Sequence, residues 1–151
     1  MTIDLSHWQD SSALIDAIWE VRRGNRKELR ADVVRLLEHG DPIVREEALS
    51  LLFVKWAEKA LRERLLDLLA SDPDFGVRSR AAGALGALSD KGTSREDVAV
   101  LQKIVLDRAD DPLVRKAAYE SLHMIVRGQS ILLDDDIDLD EEVDLEWIKQ
   151  L

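Results

Sequence analysis

Apolar positions along the chain fall three and four apart, in runs broken by Gly, Pro, Ser, Asp and Asn, the period of helices that each bury one face. Ile3, Leu5 and Trp8 precede a helix whose N-cap is Asp10, Ser11 or Ser12, with Leu14, Ala17, Ile18 and Val21 on one face and Gly24 at its stop. Asn25, with Glu28 three residues on, reads as a capping box for the next helix, which carries Leu29, Val33, Leu36 and Leu37 and ends at Gly40. Asp41-Pro42 and Asp111-Pro112 open two further helices, aspartate as cap and proline at the first helical position, where its missing N–H costs nothing. Between them, Ser71-Asp72-Pro73 punctuates before a central helix capped by Asp74. The helix carrying Leu61, Leu65, Leu68 and Leu69 has no Gly or Pro before it, so its break near Trp56 to Glu58 rests on the repeat period alone. Ser89 to Thr93 reads as a loop, followed by Ser94-x-x-Asp97 and a helix with Val98, Leu101, Ile104 and Val105.

Three of these helices share one skeleton, D-x-x-V-R-x-x-A-x-x-x-L. It fits Asp41, Val44, Arg45, Ala48 and Leu52; Asp74, Val77, Arg78, Ala81 and Leu85; and Asp111, Val114, Arg115, Ala118 and Leu122. The step lengthens from 33 residues (Val44 to Val77) to 37 (Val77 to Val114), and the loop at Ser89 to Thr93 accounts for the difference. Asp and Arg, four apart in every copy, share one edge of the first turn, where the carboxylate caps the helix and can also meet the guanidinium. Each unit is a pair of antiparallel helices that cannot bury its apolar faces alone, so neighbours must stack. The first helix, without a copy of the skeleton, reads as a cap.

With these motifs, Asn25 to Val126 resembles the HEAT-repeat family, in particular the short bacterial form found in phycobilisome lyases. The resemblance implies an all-α, right-handed α-solenoid of about three helical hairpins, with an N-terminal capping helix and an acidic C-terminal helix. It also implies that the Asp and Arg residues stack as a structural ladder and that the second helix of each hairpin lines the concave side. That inner surface would then present Glu46, Glu47, Ser50 and Phe53; Ser79, Arg80, Gly83 and Gly86; and Lys116, Tyr119, Glu120 and His123. Two glycines inside one helix, each costing up to about 1 kcal/mol relative to alanine, need a reason. Either the helices pack tightly there, or Gly83 and Gly86 floor a hollow rimmed by Phe53, Trp56 and Tyr119. Trp19 and Trp56 lie off the apolar stripes, to be packed or to serve as exposed anchors.

Charge changes the picture at one end only. Residues 134–151 hold nine carboxylates against Lys149, a net of minus 8, which leaves the body at minus 2 of the total minus 10. We therefore divide the chain into a repeat domain, 1–133, and an acidic segment, 134–151. Ile131 to Leu133 anchors that segment, and Val143, Trp147 and Leu151 follow Leu139 at four-residue spacing with Asp138 and Glu141 in capping-box register. This predicts a short closing helix with Trp147 docked. A negative field favours a basic partner and opposes phosphate backbones, so Asp134, Asp135, Asp136 and Asp138 join the candidate partner contacts and direct nucleic-acid binding is not expected.

The residues offer little for catalysis. Glu120-x-x-His123 has the spacing of bundle di-iron sites but occurs once, where such sites need it twice. His-Glu dipeptides, which HEAT-type hydroxylases carry in successive repeats, are absent. Asp134, Asp136 and Asp138 alternate as in a calcium loop, yet Leu139 and Leu145 stand where glycine and glutamate belong. No catalytic, cofactor or metal residue is assigned. The lack of cysteine, of a signal-like N-terminus and of a run of about 18 apolar residues leads us to expect a cytoplasmic protein off the membrane, monomeric when free. The expected function is that of a non-enzymatic adaptor or inhibitor, an immunity or antidote protein being one form. It would bind a basic protein through its concave face and acidic tail. A bilin-lyase-like chaperone and a structural oligomerisation unit are the alternatives.

Overall fold

The computed structural model describes residues 8–89 and 95–151; Ile3, Leu5, most of the loop at Ser89 to Thr93, and Ser94 lie outside the described residues. Its α-helices are α1 (Ser11–Gly24), α2 (Arg30–Leu36), α3 (Pro42–Leu49), α4 (Arg62–Ser71), α5 (Phe75–Leu88), α6 (Arg95–Leu106), α7 (Pro112–Leu122) and α8 (Leu145–Lys149). Helices α3 and α7 run on into wider π-helical turns, Ser50–Lys55 and His123–Arg127, and the described residues contain no strand. The architecture is an all-α solenoid. Hairpins α2/α3, α4/α5 and α6/α7 stack so that α3, α5 and α7 lie side by side, with α1 on α3 at one end and α8 on α6 at the other.

The caps follow the chemistry of the three aspartates. Asp41 accepts from the Ile43 N–H at 2.9 Å, Asp74 from Val77 at 3.1 Å and Asp111 from Leu113 at 2.9 Å. Behind them Val44, Val77 and Val114, Ala48, Ala81 and Ala118, and Leu52, Leu85 and Leu122 are buried. Asp10 proves to be the cap of α1, accepting from Ala13 at 3.0 Å. The break at Trp56 to Glu58 is present without glycine or proline, because Ala57 itself takes the left-handed conformation at φ 54°. Asn25 does not begin a helix. It sits at φ 47° as the C-cap of α1, and Glu28 turns to Arg26 at 2.8 Å in place of the expected capping box. A 3₁₀ turn, Lys27–Leu29, then leads into α2, which ends at Leu36, ahead of Gly40.

The ladder exists, but its rungs cross between repeats. Arg45 forms a two-pronged pair with Asp72 at 2.9 and 2.8 Å, not with Asp41, and Arg78 does the same with Asp110 at 2.7 and 2.7 Å, not with Asp74. The cap carboxylates are already committed to backbone N–H groups at their own helix ends. Each arginine instead reaches the end of its partner helix and the loop beyond, donating to carbonyls of His39, Leu69 and Val105 that the helix ends leave without partners. Arg115 has no further repeat to reach. It pairs with Asp140 of the acidic segment at 2.8 Å, so the tail supplies the last rung.

That segment is ordered against the last hairpin. Its helix, Leu145–Lys149, is shorter than the stripe from Leu139 predicts. Asp138 starts a turn whose backbone N–H is met by Glu142, not Glu141, and the helix begins only after Asp144 caps Trp147 at 2.9 Å. Crowded carboxylates at four-residue spacing, Asp138 with Glu142 and Asp140 with Asp144, oppose an earlier start. Ile148 is fully buried, Leu139 nearly so, and Gln102 of α6 donates to the Ile148 carbonyl at 2.8 Å.

Candidate functional site

A helix in the middle row of a solenoid touches its hairpin partner on one side and a neighbouring repeat on each flank, so only a narrow stripe of it reaches solvent. In α3, α5 and α7 that stripe runs through Glu46, Ser50 and Val54; Ser79, Gly83 and Ala87; and Lys116, Glu120 and Met124. The flanks on either side are closed. Leu51, Ala84 and Ser121 form one buried row, and Phe53, Gly86 and His123 another.

This geometry divides the expected inner surface. Phe53 and Trp56 belong to the core, and the Trp56 indole N–H donates to the Asn25 side chain at 3.0 Å. Tyr119 and His123 are buried beneath the tail. The expected aromatic rim is therefore absent from the surface, because the motif's three core positions understate how much of each helix its neighbours cover. Glu47 is half-buried and faces Arg22 at 3.7 Å, and Arg22 also donates to Ser50 at 3.0 Å. The two glycines part company as well. A side chain on Gly86 would stand 2.7 Å from Ser121 Oγ and 3.2 Å from its Cα, so Gly86 serves close packing of α5 on α7. One on Gly83 would meet nothing within 4 Å.

Gly83 floors an open groove of about 440 Å³ that crosses α3, α5 and α7, lined by Glu46, Val54, Gly76, Ser79, Arg80, Gly83, Ala84, Leu113, Ala117 and Glu120. Of the anticipated inner surface it therefore gathers Glu46, Ser79, Arg80, Gly83 and Glu120. The exposed apolar residues Val54 and Leu113 went unanticipated, since a stripe reading assigns such residues to the core. Arg80 meets Glu46 across it at 3.3 Å. Glu120 accepts from the Leu133 N–H at 2.8 Å and Lys116 pairs with Asp135 at 2.5 Å, which lays the start of the acidic segment along the α7 edge. That pair raises the Lys116 pKa and lowers that of Asp135, the hydrogen bond between them being the main cause. Asp134, Asp136 and Asp138 are exposed.

Next to the groove a second cluster forms where the tail closes on α7. The His123 ring lies 4.9 Å from that of Tyr119 and, edge to face, 4.6 Å from that of Trp147, and the Arg127 guanidinium sits 3.9 Å over the Trp147 ring. Both His123 ring nitrogens are buried without a partner among the described residues, and burial, with Arg127 nearby, pushes the imidazole pKa below its usual value. His39, by contrast, is fully satisfied: Nδ1 accepts from the Asp41 N–H at 3.0 Å and Nε2 donates to the Trp8 carbonyl at 2.5 Å.

Among the described residues no group of three or more His, Cys, Asp or Glu could hold a metal ion, and no helix is long and apolar enough to cross a membrane. No curated protein and no solved structure matches the chain. A family model described as HEAT repeats matches residues 33–123, more than half of the chain, over the three hairpins and the arginine ladder just described. The chain belongs to the HEAT-repeat family, whose members are generally modules for protein–protein interaction.

Proposed function

We propose that the protein is a non-enzymatic binding module that seats a basic partner protein in the groove over Gly83. The observation that carries this reading is the charge left around that groove. Arg22, Arg80 and Lys116 are each paired with a carboxylate, Glu47, Glu46 and Asp135. Glu120, which lines the groove with exposed Val54 and Leu113, and the exposed Asp134 and Asp136 form no ion pair among the described residues. An apolar floor with a residually acidic rim suits a partner with an apolar centre and basic surroundings. An adaptor or inhibitor of the immunity type, whose carboxylates stand in for phosphates at the active site of a basic enzyme, is one form of this reading. A chromophore chaperone would need an enclosed pocket over both Gly83 and Gly86, and Gly86 is taken up by Ser121.

The test is to capture the partner, identify it by mass spectrometry and titrate it in a calorimeter. Gly83→Leu fills the groove without touching the core, so affinity should fall about tenfold or more, and raised salt should weaken the wild-type complex. A partner that binds the Gly83→Leu variant as tightly as wild type, at an affinity indifferent to salt, would sink the proposal.

A further inference from the structure

The stretch from Ser130 to Asp134 belongs to no helix and leads into a turn at Asp135 and Asp136, which the Ile137 N–H closes onto the Asp134 carbonyl at 3.3 Å. Leu133 is tied to Glu120 and Asp135 to Lys116, so the tail advances two residues while α7 runs back four. From Ile131 to Asp134 the side chains alternate between the body and solvent, as along a strand. Ile131 and Leu133 pack against the core, and Leu132 between them points out and is 90% exposed, far above every other exposed large apolar residue. The backbone is nearly unused. Among the described residues, Leu133 has the one hydrogen-bonded N–H of this stretch, and Asp134 the one carbonyl that accepts from backbone.

We propose that Ser130–Asp134 is a docking strand that adds to the open sheet edge of a basic partner. The inference rests on reading the chain as a protein-binding module, and it names the partner's chemistry. A bare backbone edge supplies main-chain pairing, and an outward Leu132 supplies one apolar contact to a side-chain pocket. Exposed Asp134 and, in the turn beyond it, exposed Asp136 form no ion pair among the described residues and select an edge lined by lysine or arginine. The same charges, with Asp135 between them, oppose a second copy of this chain as the occupant.

The probe is a cross-linked β-hairpin peptide with alternating valine and lysine, set against a helical peptide of the same composition. Binding is measured by calorimetry at low and raised salt, and amide exchange is followed by NMR on the full chain. The hairpin should bind, slow exchange at Ile131, Leu132 and Asp134, and lose affinity about tenfold on Leu132→Asp and again on joint Asp134→Asn and Asp136→Asn. Leu132 is so exposed that its replacement should leave the unfolding midpoint unchanged, which separates lost docking from lost folding. Equal binding by the Leu132→Asp variant, or no binding of the hairpin at all, overturns the docking strand. If instead the helical peptide binds, protects α5 and is lost on Gly83→Leu, the groove reading stands and the strand proposal falls. Hairpin binding untouched by Gly83→Leu supports the strand alone.

Discussion

Gly83 and Gly86 lie one turn apart on the same helix, so the same substitution at each isolates what tertiary packing adds. Alanine in a helix interior is worth about 1 kcal/mol over glycine. At Gly83 the new methyl meets nothing within 4 Å, so the gain should appear undiminished and raise the melting temperature by about 2–4 °C. At Gly86 the methyl would lie 2.7 Å from Ser121 Oγ, 2.8 Å from its Cβ and 3.2 Å from its Cα. A hydroxyl could rotate aside, but a backbone carbon cannot, so α5 and α7 must separate. Overpacking of this kind costs about 1–3 kcal/mol. Rotating Ser121 away would also strain its bond to the Ala82 carbonyl at 3.0 Å, worth about 1 kcal/mol. Against the propensity gain, Gly86→Ala should come out net destabilising by about 1–3 kcal/mol, and the two variants should differ by about 2–4 kcal/mol. Urea unfolding followed by circular dichroism reads both. If Gly86→Ala proves as stable as Gly83→Ala, the packing of α5 on α7 is not as close as described.

Other consequences follow from the ladder, the tail and the hairpin turns. Replacing Arg78 by methionine leaves Asp110, about 12% exposed, without its guanidinium, and should cost about 3–5 kcal/mol in equilibrium unfolding. Since the Arg78 hydrogen bonds hold the Asp110 pKa below its usual 3.8, the stability this pair contributes should persist above that pH and fade as pH drops below it, a slope the variant should lack. For His123 the folded pKa lies below the ordinary 6.5, so the unfolded chain binds the extra proton first and stability should decline as pH falls from about 6.5 towards the folded value. Protection factors for hydrogen exchange in residues 139–149 should fall over that window in wild type and not in His123→Phe, which keeps the ring stack. Ala57 occupies a left-handed conformation that disfavours residues with a Cβ by about 1–2 kcal/mol, so Ala57→Gly should stabilise despite glycine's usual entropic penalty, as a rise in the thermal midpoint would show.

Much of the scaffold could be read from local chemistry. Asp41, Asp74 and Asp111 cap their helices because a short carboxylate beside an apolar run has few better uses, and the repeat period placed the break at Trp56 where no glycine or proline marks it. The candidate site was only partly legible. Glu46, Arg80, Gly83 and Glu120 line the groove, whereas Phe53, Trp56, Tyr119 and His123 are buried by neighbouring helices or by the tail. Asp140 gave no local sign of its part, since one aspartate among nine carboxylates is distinguished only by lying 2.8 Å from Arg115.

Taken by itself, the sequence determined that the chain forms stacked helical hairpins, where most of them begin, and that its negative charge gathers at one end. These follow from backbone hydrogen bonding, apolar periodicity and composition, which act within a few residues. Which faces of the central helices stay open, which aspartate each arginine finds, and how the acidic segment folds back to cap the last hairpin were decided by tertiary structure. Each depends on what a neighbour 25 to 32 residues away covers or offers, as Arg115 with Asp140 and Arg78 with Asp110 show, and no single helix carries that information.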